Sequence, residues 1–430
     1  MKIHFIGIGG IGVSALAKYY LEKGEQVSGS DLCASQITDD LIEKGVKVII
    51  GINDAKNISD YDLVIYSPAV KEDNPERVEV KKRGIQEMSY PQALGEMTKN
   101  HYTIAVSGTH GKSTTTSMIS LVLIEAGLDP TVVVGTKLKE FGNSNFRMGK
   151  SQYLIIEACE HEESFLNYWP TIGVITNVEE DHLDYYGSLE NIVKAFNRFV
   201  SHLSEDGFLV KGEKVSMEHK NTEIFSLKDR EDVEKIKSVI KIPGEHNILD
   251  ALAALKVSRI LEIDDEIFLK AISKFSGTWR RFDEMQFSNF VLIDDYAHHP
   301  TEILATLKGV REKYSSKKVL CIFQPHQYQR TYLLFDDFVK TFKSVLDEKL
   351  IDRLFLVDIY DVAGREDAEI RQKVSSEKLA KKIDRDNAKF VSNEKLFENI
   401  KDFDVVIFMG AGSIYNLSEE FKKLNGYCLG

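Results

Sequence analysis

The sequence predicts an α/β protein of about three domains, and three observations predict it. Its 430 residues exceed what a single hydrophobic core usually serves. Two glycine-bearing turns, at residues 7–12 and 108–111, each follow a short apolar strand and open a helix. From about residue 281 onward, apolar strands alternate with helical stretches again, the pattern of a doubly wound sheet.

Composition narrows the class. With 43% hydrophobic and 28% charged residues and no internal repeat, the chain reads as globular. A net charge of -12 argues against a nucleic-acid-binding surface, which is built from clustered Lys and Arg. No apolar run approaches the ~20 residues of a membrane span, and MKIHFIGIGG reads as strand and turn, so neither a membrane partner nor a signal peptide is expected. Cys33, Cys159, Cys321 and Cys428 lie far apart without a C-x-x-C pair, the usage of reduced thiols in a cytoplasmic protein.

Residues 1–100 form the first segment. A strand at 2–6 runs into Gly7-Ile8-Gly9-Gly10-Ile11-Gly12 and a helix through Leu21. A second strand at 26–29 ends at Ser30-Asp31. Gly7, Gly9 and Gly12 fit the Rossmann fingerprint G-x-G-x-x-G, and Asp31 stands near the offset of a ribose-binding acid. Alone this indicates NAD. The glycines, however, report only that backbone approaches a diphosphate, which a UDP-sugar also offers. Ser67, in the strand and turn at 63–69, is placed at a strand's carboxyl end, where ligands bind in open α/β sheets. A turn residue before Pro68 is the plainer reading.

Residues 101–280 form the second. The stretch TIAVSGTHGKSTTTSM (103–118) is a strand, a turn through Gly108, Thr109, His110 and Gly111, and a helix opened by Lys112, Ser113 and Thr114. First-turn amides and the positive helix end favour an anion. Lys112 adds a charge over the β/γ-phosphates and Ser113 a hydroxyl for Mg2+. Val106 stands where the general phosphate-loop pattern has glycine. The strand at 152–158 delivers Glu157 at its end, a second Mg2+ ligand. The strand at 173–176 runs into NVEEDHLD, with His182 among acids that could equally be a solvated loop. Before a helix at 248–261, polar side chains at a Gly-initiated start either cap it or present Asn247 to an adenine edge.

In residues 281–430, strands are expected at 290–293, 318–323, 353–357 and 405–409. DDYAHHP (294–300) and QPHQYQR (324–330) sit at strand ends. The adjacent His298 and His299 are poorly spaced for one transition metal. Gly410 and Gly412 read as a packing turn.

Taken together, GIGGIGVSALA, VSGTHGKSTTT, the E-A-x-E run at 157–160, ITNVEEDHLDYY, PGEHNILDALAA, TWRRFD, DDYAHHPTE, FQPHQYQRT and FMGAGSI resemble the Mur ligases in order and spacing along the whole chain. The resemblance implies a Rossmann-like UDP-binding domain (1–100), a central P-loop ATPase-type domain (101–280) and a Rossmann-like C-terminal domain bringing in the amino acid (281–430). It implies ATP and Mg2+, and within the family it runs to the branch that joins L-alanine to UDP-N-acetylmuramate in peptidoglycan synthesis. UDP then takes the first glycine loop, at Gly9, Gly10, Ile11 and Gly12 with Asp31 and Ser67.

By the same resemblance, Lys112, Glu157, His182 and Arg281 are catalytic. Ser113, Glu157 and His182 would hold Mg2+, His246 and Asn247 the adenine end, and Asp295 the ribose. Tyr296, His298 and Arg330 would line the muramate and amino-acid side. Cys159, Ala297 and Gln327 depart from the family pattern at positions that handle substrate. The alternatives are a salvage ligase adding a preformed peptide, a nicotinamide-dependent dehydrogenase, and a non-catalytic phosphate-loop switch. Monomer and homodimer both remain open.

Overall fold

Three sheets carry the chain in a computed structural model that describes residues 1–361 and 368–426. Cys428 lies outside the described residues. The first sheet is all parallel, in the order Lys47–Ile50, Gln26–Asp31, Lys2–Ile6, Leu63–Tyr66, Gln86–Ser89. That order places the reversal between the central strand Lys2–Ile6 and its neighbour Leu63–Tyr66, and ligand crevices form outside the carboxyl ends at such a point.

The second sheet runs Thr222–Phe225, Phe208–Gly212, Ile172–Ile175, Tyr102–Ser107, Tyr153–Glu157, Thr131–Leu138, Ser144–Arg147. Its last two strands form an antiparallel hairpin that the sequence pattern did not reveal. The third runs Asp283–Gln286, Val291–Asp295, Val405–Met409, Val319–Phe323, Arg353–Leu356, Ala388–Phe390, parallel except for its first, antiparallel edge.

Strands covered on both faces have to be apolar on both. Val319–Phe323 and Val405–Met409 are buried throughout. Ile293, Cys321, Leu354 and Ile407 pack on one side of the third sheet, and Leu292, Ile322, Phe355 and Phe408 on the other. Each such apolar side chain contributes roughly 1.5–3 kcal/mol on burial, and the buried Asp294 and Asp295 stand at the end of their strand.

By their internal contacts the residues form two compact units. One holds Met1–Glu180, Ser188–Val239 and Leu249–Phe275; the other holds Asp181–Gly187, Ile240–Ile248 and Ser276–Gly430. The first two sheets therefore share a unit. Buried Lys18, on the helix after the first glycine loop, donates to Asn145 Oδ1 at 2.9 Å, and Asn145 Nδ2 donates to Ser14 Oγ at 2.9 Å. Lys137 pairs with Asp40 at 3.1 Å. The helix expected at 248–261 is Glu245–Ile260, which puts His246 and Asn247 inside its first turn.

Candidate active site

The phosphate loop begins where the buried strand Tyr102–Ser107 ends. Gly108 (φ +134°) and Gly111 (φ +82°) are left-handed. A Cβ on either would lie 2.0 Å from Thr176 Oγ1 or 2.3 Å from Asp250 Oδ1, so no other residue fits. Two of the loop's amides are already engaged. Thr109 N donates to Asn177 O at 3.1 Å and His110 N to Asn177 Oδ1 at 2.9 Å. Thr176 Oγ1 and Asn177 Nδ2 hold the His110 carbonyl at 2.5 and 3.1 Å. Thr109 and His110 are thus tied to the strand end that carries Thr176 and Asn177. The amides of the first turn of the helix Lys112–Glu125 have no intrahelical acceptors.

Lys112 Nζ donates to the carbonyls of Gly108 (2.5 Å) and Thr109 (3.0 Å) and lies 2.9 Å from Glu160 Oε2. Burial alone would lower its pKa, but Glu160, Cys159 and Glu157 hold it above the usual lysine range, so the ammonium stays charged. Glu160 is buried; the sequence offered it only as the second acid of E-A-x-E.

Ser113 Oγ donates to Glu157 Oε2 at 2.8 Å, and Gly135 N donates to the same oxygen at 2.8 Å. A Cβ at Gly135 would sit 2.6 Å from that oxygen. A hydroxyl and a carboxylate meeting beside a lysine are hard oxygen donors that fit Mg2+. Asp250 accepts from Thr115 Oγ1 at 3.0 Å, tying a later helix to the loop.

The first glycine loop lies at the carboxyl end of Lys2–Ile6. Gly7 is left-handed (φ +78°). Gly7 and Ile8 donate to Ser30 O at 2.8 and 3.1 Å. Asp31 takes the Gly9 amide at 2.8 Å and that of Cys33 at 3.2 Å, so its carboxylate serves to brace the loop. Ser67 stands against Gly7, 3.0 Å from where a Cβ would be, and Tyr90 is 2.7 Å from the Cβ position of Gly12. The structure brings Gly9, Gly10, Ile11, Gly12, Asp31 and Ser67 together around one strand end.

In the second unit, the TWRRFD turn is strained, with Arg280 at φ +57° and Phe282 at φ +52°. Asp295 holds it: its carboxylate accepts from Phe282 N (2.8 Å), Ala297 N (2.9 Å) and Thr306 Oγ1 (3.2 Å). Buried and so engaged, Asp295 anchors the turn. Asn247, also buried, donates to Pro243 O at 2.6 Å and fastens its own helix start. His246 has its pKa lowered to about 4 by burial, with Arg281 adding to the effect.

Arg281 stacks on Tyr296 at 5.0 Å and lies 3.5 Å from Glu302. Glu302 in turn faces His298 Nδ1 at 3.3 Å. Arg330 reaches Asp181 Oδ1 at 3.3 Å and His326 Nδ1 at 3.3 Å. Asp181 is held well below the usual carboxylate range: burial opposes ionisation, but Arg330, His182 and His298 outweigh it. His182, left-handed at φ +51°, lies 3.6 Å from Asp181. Arg281, Tyr296, His298, His182 and Arg330 therefore belong to one charged cluster. Glu302 and Asp181, its two carboxylates, were not singled out from the sequence. Ala297, without a positive φ, carries its methyl unstrained, whereas Gln327 starts its helix at φ +68°.

Residues 2–102 match the Mur ligase family catalytic domain, 106–215 the Mur ligase middle domain and 280–412 the Mur ligase glutamate ligase domain. The chain is 42% identical to a UDP-N-acetylmuramate–L-alanine ligase of Clostridium tetani over 98% of both chains. It is 41% identical to one of Clostridium kluyveri over 97% of both. Among solved structures, UDP-N-acetylmuramate-alanine ligase MurC of Thermotoga maritima superposes with a TM-score of 0.81 at 28% identity, covering 99% of each chain. A murein peptide ligase of Psychrobacter arcticus, at 21% identity and a TM-score of 0.72 over 100% of each chain, shares the fold. With three domain matches in order and relatives this similar over nearly the whole length, the chain belongs to the Mur ligase family.

Proposed function

We propose that this protein joins L-alanine to UDP-N-acetylmuramate at the expense of ATP, in the cytoplasm, as a step of peptidoglycan precursor synthesis. The observation that carries this reading is the meeting of Lys112, Ser113 and Glu157 at one strand end, in a chain 42% identical throughout to an alanine-adding ligase.

The chemistry explains why such a site is needed. A carboxylate does not condense with an amine in water, so the muramate carboxylate first takes the γ-phosphoryl group of ATP. The resulting acyl phosphate is then attacked by the amine, and phosphate leaves. Mg2+, for which Ser113 and Glu157 offer oxygen donors, would supply charge neutralisation to the phosphates, and His182 would serve a second Mg2+. Lys112 and the first-turn amides of its helix hold the transferring group where negative charge develops. The loop from Gly9 to Gly12, with Ser67, takes the UDP diphosphate, and Asp31 keeps that loop in shape. Arg281 faces the phosphoryl group, while Arg330 takes the amino acid's carboxylate by parallel hydrogen bonds.

A nicotinamide reading of the first loop leaves Lys112, Ser113 and Glu157 without a purpose. The deciding experiment measures phosphate release by the purified protein with ATP, Mg2+ and UDP-N-acetylmuramate against a panel of amino acids and peptides. Release with alanine is expected. Release only with a peptide would move the protein to the salvage reaction.

A further inference from the structure

We infer that Glu302 and the Tyr296 carbonyl fix His298 with its proton on Nδ1, so that Nε2 accepts the proton of the incoming amino acid's ammonium group. The inference rests on the ligase reading above and adds to it the group that makes the amine a nucleophile.

The argument starts at the loop. Glu302 is the third residue of the helix Pro300–Lys313, and its Oε2 accepts from the backbone amides of His298 (3.0 Å) and His299 (3.3 Å). The carboxylate is thereby fixed against the loop it caps. His298 Nδ1 lies 3.3 Å from that same oxygen and 3.2 Å from Tyr296 O. A carbonyl oxygen can only accept, and an ionised carboxylate can only accept. The proton of a neutral imidazole therefore sits on Nδ1, and Nε2, on the far side of the ring, carries the lone pair. A carboxylate orienting an imidazole in this way is the arrangement that prepares a histidine base.

The surroundings agree. Burial lowers the His298 pKa to about 4; Glu302 and Asp181 oppose the shift, and Arg330 and Arg281 reinforce it. The ring is accordingly neutral at pH 7 and able to accept. An arriving carboxylate and acyl phosphate would offset the two arginines and make Nε2 more basic as the substrates assemble. His326 lies beside it, with ring centroids 6.0 Å apart, and contacts Arg330. The side chain is 15% exposed, so a small amine can reach it.

The step balances as follows. Nε2 takes one proton from the ammonium, and the freed nitrogen lone pair forms the C–N bond. The C–O bond to phosphate breaks with its electron pair going to phosphate, and the nitrogen's second proton leaves with it.

The test compares alanine with hydroxylamine, a much weaker base that is largely unprotonated at neutral pH and needs no proton acceptor. In His298→Asn, which keeps the donor on the Nδ1 side and removes Nε2, turnover with alanine should fall on the order of 10²- to 10⁴-fold. Hydroxamate formation from UDP-N-acetylmuramate, ATP and hydroxylamine should fall by less than about tenfold. Glu302→Gln should show the same split more weakly. Parallel losses with both nucleophiles, or undiminished turnover with alanine, would overturn the inference. Absence of hydroxamate from the wild-type enzyme would instead overturn the acyl-phosphate reading beneath it. Should His298→Asn fail to fold, 15N NMR of the wild-type imidazole decides: a proton on Nδ1 supports the assignment and a proton on Nε2 refutes it.

Discussion

Lys112 and Glu160 form a buried ion pair, 2.9 Å apart, directly beneath the loop that would hold the phosphates of ATP. The pair gives Lys112 a structural role, because the same ammonium also satisfies two loop carbonyls.

Replacing Lys112 by Ala should reduce phosphoryl transfer on the order of 10²-fold or more. It should also destabilise the protein by about 3–5 kcal/mol, since a buried ion pair loses its cation. Adding Glu160→Gln should restore much of the stability and none of the activity. Denaturant melts and ATP turnover on the three proteins check this; a single Lys112→Ala variant with wild-type stability would contradict it.

Gly135 has no positive φ, so alanine there is conformationally tolerable, but its methyl would lie 2.6 Å from Glu157 Oε2. Gly135→Ala should therefore fold, displace the Glu157 carboxylate and raise the Mg2+ concentration needed for half-maximal activity at least about tenfold. A Mg2+ titration of turnover reads the effect. An unchanged titration would remove Glu157 from the metal site.

Arg330 pairs with Asp181 at 3.3 Å. Arg330→Ala should raise the KM for alanine tens-fold while leaving that for ATP near its wild-type value, as loss of a charge-assisted pair in a closed site costs roughly 2–5 kcal/mol. Gln327→Arg should tighten alanine binding or leave it unchanged. Equal KM values for alanine in wild type and Arg330→Ala would move the amino-acid site elsewhere.

The depressed pKa of Asp181 also predicts a pH dependence. A carboxyl more acidic in the folded than in the unfolded state stabilises the fold above its unfolded pKa of about 3.9 and loses that contribution as pH falls through and below it. Asp181→Asn should accordingly be less stable than wild type at pH 7, with the gap closing toward pH 3. A gap independent of pH would mean that packing, not charge, is what the substitution disturbs.

Much of this architecture is legible in the sequence because it is local. Gly7, Gly9 and Gly12, and the run from Gly108 to Ser113, are contiguous motifs. The strands that precede them announce themselves as apolar runs buried on both faces. What the sequence conceals is the partner across distance. Gly135 and Glu157, Thr115 and Asp250, Asp181 and Arg330 meet only once the sheets are folded. Asp295 and Asn247 also turn to nearby backbone, at Ala297 and Pro243, contacts that no spacing rule reveals. The hairpin Thr131–Leu138 and Ser144–Arg147 escaped notice because Gly135, Gly142 and Asn143 interrupt its alternation.

The most direct test of the ligase reading is to incubate the purified protein with ATP, Mg2+, UDP-N-acetylmuramate and L-alanine and to follow products by mass spectrometry and phosphate release. The account predicts one UDP-N-acetylmuramoyl-L-alanine for each phosphate released, with no product when alanine or ATP is withheld and none with NAD in place of ATP. ATP consumption without amide formation, or amide formation with a peptide and not with alanine, would contradict it.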